Sequence, residues 1–134
     1  MSLGSWDPSS ESSSTDFQID ADVLQQFIQL NDQALTDLKS ELGDEMIQKQ
    51  APLMQQERSQ WLEIAPQFTT EEVLRLIKFF TVAESLPGWH SGDKSPVIGL
   101  AKSLRKQGHK LDRDLLMWIK SNSKNHFLPY GPLM

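Results

Sequence analysis

Apolar positions recur at helical spacing through most of the chain, and nowhere do β-branched residues alternate with polar ones as in a strand. Between Asp20 and Leu42, the residues Leu24, Phe27, Ile28, Leu35, Leu38 and Leu42 follow i, i+3, i+4 steps, with Val23 and Leu30 widening the stripe. This pattern predicts one helix of about six turns. Asp20 or Asp22 can cap its start, and Gly43 can end it in a left-handed conformation. Asp44 can cap a second helix in which Met46, Ile47, Met54, Trp61, Leu62 and Ala65 keep the period. Pro52 interrupts that helix, so a kink or two abutting helices are expected there, and Pro66 ends it.

The third helix has the clearest start. Thr69 and Glu72 match a capping box, with Phe68 and Val73 at the two staple positions around it. Val73, Leu74, Leu76, Ile77, Phe79, Phe80, Val82 and Ala83 follow, leaving Arg75, Lys78 and Glu84 as its polar face. A helix apolar on most sides belongs at the centre of a fold. Pro87-Gly88 ends it and opens a loop through Lys94. Ser95-Pro96 then reads as an N-cap with proline at the first helical position. Val97, Ile98, Leu100, Ala101 and Leu104 face inward, and Gly108 closes this helix. Asp112 caps a last helix with Leu115, Leu116, Trp118 and Ile119 as its apolar face and Leu111 with Leu116 as a staple.

The ends of the chain lack this order. Residues 1–18 read as a disordered tail, serine-rich and without period, with Met1–Ser5 as an added leader. Residues 19–134 read as a single all-α domain, a compact bundle of five to six helices. Its C-terminal segment, Asn125 to Pro132, has no helical period yet is rich in apolar and aromatic residues. Leaving such a tail in water is costly, so it is expected to fold back as a lid rather than to reach outward as an anchor.

Charge changes the picture more than composition does. Residues 1–90 carry 15 acids against five bases, a net of −10, whereas residues 91–134 carry eight bases against three acids, a net of +5. Such a split implies that the basic end faces something acidic, inside the protein or outside it. The chain of 134 residues has no cysteine, which removes disulfides, thiolate metal sites and cysteine nucleophiles together. No run approaches the roughly 20 apolar residues that span a bilayer, and no signal peptide is apparent. The expectation is a cytoplasmic protein without membrane contact.

No catalytic constellation stands out. The histidines, His90, His109 and His126, lie in loops or helix ends, and their spacing matches no metal-ligand pattern. Neither a metal nor a cofactor is expected. The turn around Lys94 and Ser95 feeds a helix N-terminus and suits an anion, with His90 nearby, but Asp93 opposes one and plain capping by Ser95 accounts for the pattern. It is not a P-loop, because Asp93 stands where a glycine is needed. The two basic helices spanning 96–122 have the flavour of a helix-turn-helix, yet Asp112-Arg113-Asp114 opens the would-be recognition helix with carboxylates. The reading that remains is a small non-enzymatic binding or regulatory module acting on a partner protein. Its surface would combine Trp89, His90 and Lys94 of the loop, Lys102, Arg105 and Lys106 of the basic helix, and Phe127 and Tyr130 of the tail. The alternative is a nucleic-acid-binding accessory protein using helices 96–122. A remote one is an enzyme acting on a phosphate-bearing substrate at the 89–96 loop.

Overall fold

The computed structural model describes residues 18–123 together with Asn125 and Leu128. Seven α-helices run through the described residues, and no strand does. They are α1 (Ala21–Ile28), α2 (Asp32–Leu35), α3 (Leu38–Gln50), α4 (Arg58–Ile64), α5 (Thr70–Ala83), α6 (Pro96–Lys106) and α7 (Arg113–Asn122). Short 3₁₀ turns at Ala51–Gln55, Ala65–Gln67 and Gly92–Lys94 join them. The all-α expectation holds. The disorder expected of residues 1–18 falls, but for Gln18, outside the described residues.

The helix count exceeds five or six because the first predicted helix is three. Asp20 caps α1 through its Oδ1, which accepts the Asp22 amide at 2.9 Å. At Asn31 the backbone turns extended, and the Asn31 side chain accepts the Ala34 amide at 2.8 Å to start α2. An asparagine that bonds its own neighbours competes with a continuing helix. A second break at Asp37 starts α3. The apolar stripe survives both breaks, since Leu24, Phe27, Ile28, Leu35 and Leu38 are all buried. Gly43, at φ +81°, is non-helical and parts two helical segments within α3, so the break expected there is present, with Asp44 directly after it. Pro52 divides the second predicted helix, with the intervening 3₁₀ turn carrying the proline in its first positions.

The capping box, the Asp112 cap and the Gly108 stop are realised where the sequence places them. The Thr69 hydroxyl accepts the Glu72 amide at 3.1 Å, and Glu72 returns a bond to the Thr69 amide at 2.9 Å. That amide, with the Gln25 side chain second, holds the Glu72 carboxyl below its ordinary range. Asp112 accepts the Leu115 amide at 2.8 Å and caps α7. Helix α6 ends in a Schellman turn: the His109 amide reaches the Leu104 carbonyl at 2.8 Å and the Gly108 amide the Arg105 carbonyl at 3.0 Å. Gly108 supplies the required positive φ of +90°.

The core is aromatic at its centre. Phe27 stacks on Phe79 with ring centroids 4.0 Å apart, and Phe80 stands edge-on to Phe27, Phe79 and Trp61. Helix α5 packs against α1, α6 and α7, as a central helix should. Helix α6 is equally central in its first half, because it also packs along α4. The two backbones approach so closely that a Cβ on Gly99 would lie 2.6 Å from the Trp61 Cβ. Six consecutive residues, Pro96 to Ala101, are buried as a result.

Candidate functional site

The residues expected to form one binding surface are distributed over three environments. The first is the core. Leu86-Pro87-Gly88-Trp89 forms a turn closed by the Trp89 amide on the Leu86 carbonyl at 3.0 Å, with Gly88 at φ +78°. The turn sends Trp89 inward, where it is fully buried, edge-on to Phe79, and donates its indole N–H to the Ile47 carbonyl at 2.8 Å. Trp89 is therefore a core residue that pins α3 to the end of α5, and a partner cannot reach it in this state. Ser95 is also buried. Its hydroxyl accepts the Val97 amide at 3.2 Å as the cap of α6, which leaves it committed to the helix rather than to an anion. Lys94 beside it is exposed.

The second environment is the open end of α6. Exposure begins at Arg105 and continues without interruption to Lys110, while Lys102 is half-buried one turn earlier. Lys102, Lys106 and Lys110 make no ion pair among the described residues. Arg105 and Lys106 lie in the last turn of α6, where cations meet the negative end of the helix dipole. Helices α6 and α7 scarcely touch each other, and α7 rests instead on α5. A helix-turn-helix needs its two helices packed together, so this pair lacks that geometry. Asp112 and Asp114 flank Arg113 on the exposed start of α7.

The third environment surrounds the end of α5. Glu84, assigned from the sequence to a polar face, is buried. Its Oε2 accepts the Asn125 side-chain amide at 2.7 Å, and its Oε1 accepts the Ser91 backbone amide at 3.3 Å. The same Asn125 nitrogen also donates to the Gly92 carbonyl at 2.8 Å. These bonds clasp the segment after α7 onto the 91–92 loop, and Leu128 beyond them is buried. The rest of the C-terminal segment expected to form a lid, Phe127 and Tyr130 included, lies outside the described residues. His90 is exposed at the edge of this region, and its carbonyl accepts the Gln55 side-chain amide at 3.0 Å.

No family model, curated protein or solved structure matches the chain. Function has to be argued from these environments alone. Among the described residues no three His, Asp or Glu side chains come together to hold a metal, and no helix is long and apolar enough to cross a membrane. Sequence reasoning missed Glu84 and Asn125. Neither carries a local signal, because they meet across 41 positions of the chain.

Proposed function

We propose that this chain is a small, non-enzymatic helical module of the cytoplasm that binds an acidic face of a partner protein through the open end of α6. Lys102, Arg105 and Lys106 are the centre of the surface, with Lys110 and Arg113 extending it. One observation carries the reading: Lys102, Lys106 and Lys110 have no ion pair among the described residues, although residues 1–90 hold a net charge of −10. Among the described residues the acids in excess are not used on these lysines. Clustered cations left in water steer and orient an acidic partner. A nucleic-acid partner is disfavoured by the negative body, by Asp112 and Asp114 beside Arg113, and by the unpacked α6–α7 pair.

The test is a pull-down with the intact chain, with and without nuclease, repeated with Lys102, Lys106 and Lys110 all changed to Glu. The expected result is a co-purifying protein that survives nuclease and is lost from the variant. A partner set unchanged in the variant would overturn the proposal. Capture that disappears with nuclease would move the reading to nucleic acid, for which log affinity falls with log salt at a slope of about −0.9 per phosphate contact.

A further inference from the structure

A groove of about 830 Å³ opens between the end of α5, the 90–92 loop and the end of α7, within the range of about 300–1,000 Å³ usual for small-ligand sites. Among the described residues Glu84 and Lys120, of opposite charge, line it. Glu84 is only 9% exposed. Both of its hydrogen bonds come from neutral donors, the Ser91 amide and the Asn125 side chain, and no cation pairs with it among the described residues. A carboxylate has about four acceptor positions, and a buried charge is ordinarily matched by an opposite one. Glu84 thus has unused acceptor capacity and an unmatched charge where it borders the groove.

The rest of the lining restricts what can supply the missing cation. Lys120 is exposed and makes no ion pair among the described residues, and His90 also borders the groove. The described lining carries both signs of charge, so neither a simple cation nor a simple anion matches it throughout. Ser121 and Ser123, also in the lining, offer hydroxyls that can donate or accept. We infer that the groove binds a small zwitterion of the amino-acid type, its ammonium group on Glu84 and its carboxylate on Lys120. A free amino acid and a short peptide both present this pair of end groups. The site is separate from the open end of α6, so it stands or falls independently of the partner proposed above.

The experiment is a titration of the intact chain, followed by amide chemical shifts, with two probes: L-alanine for a free amino acid and glycylglycine for a peptide. N-acetylglycylglycine, which lacks the ammonium, and glycylglycine amide, which lacks the carboxylate, are the controls. Saturable shifts confined to residues 84–92 and 120–125 are expected with one or both probes, and which one binds tells the two sources apart. Each control should bind weaker by roughly tenfold or more, the worth of a charge-assisted hydrogen bond. Glu84→Gln, which keeps an acceptor for Asn125, and Lys120→Ala, at an exposed position, should each lose a similar factor. The inference is overturned if neither probe produces such shifts at millimolar concentration. It is equally overturned if N-acetylglycylglycine binds as well as its parent, or if Lys120→Ala binds as wild type does. The control probes and the Lys120 variant keep the test decisive even where Glu84→Gln fails to fold.

Discussion

The two ends of α6 differ sharply in burial, although both lie in the basic part of the sequence. At the N-terminal end every residue from Ser95 to Ala101 is buried, and the loop that precedes it delivers Trp89 into the core. At the C-terminal end every residue from Arg105 to Lys110 is exposed. One helix is thus buried from Pro96 to Leu104, apart from half-buried Lys102, and turns into surface only at its last two residues and the turn after them. The difference teaches that a run of cations marks solvent dependably, because burying each one without a partner is prohibitive. An aromatic beside proline and glycine marks nothing by itself, since the same turn can aim it outward or inward.

The comparison breaks first at Trp89. Trp89→Ala removes a fully buried indole and leaves the Ile47 carbonyl without its donor. The expected loss is about 3–5 kcal/mol in urea denaturation, and a variant as stable as wild type would mean that Trp89 is a surface residue after all. Next comes Gly99 on the buried half of α6. Gly99→Ala forces a methyl against the Trp61 Cβ, within 2.6 Å, with the Arg58 carbonyl 3.5 Å away. Overpacking of this kind costs about 1–3 kcal/mol, and it should appear as a lowered midpoint in thermal melting. A stabilised variant would show that α4 and α6 can separate freely.

The open end responds more weakly. Gly108→Ala meets no atom within 4 Å, so its cost comes only from the positive φ, about 1–2 kcal/mol by the same melting assay. The smallest effect belongs to the charges. Changing Lys102, Lys106 and Lys110 to Glu should alter stability by only some tenths of a kcal/mol per site, because among the described residues no ion pair is lost, while it abolishes partner capture. If that variant instead melts far below wild type or changes its size on gel filtration, the lysines support the fold, and the contrast between the two ends dissolves.

Short-range features of the fold were legible in the sequence. The capping box at Thr69 and Glu72, the Ser95-Pro96 start, the Asp112 cap and the Gly108 stop all depend on residues within a few positions of each other. The three-part division of the first predicted helix was less legible. Apolar period reports which face is buried, and that face is continuous, whereas the helix is interrupted at Asn31, whose side chain caps α2, and at Asp37, where the backbone leaves the helical region. The candidate site was legible only in its charges. The burial of Trp89 and Glu84 depends on bonds to Ile47 and Asn125, 42 and 41 positions away, and no local pattern encodes such meetings.

The clasp between Glu84 and Asn125 has a consequence for how the molecule opens. It joins two points of the chain that enclose the whole of α6 and α7, and so it acts as a non-covalent cross-link around them. Inside such a loop the chain that follows α7 cannot leave without first releasing the clasp. The two helices, one buried and one resting on α5, should therefore lose amide protection together, as a single cooperative unit of unfolding rather than as a fraying C-terminus.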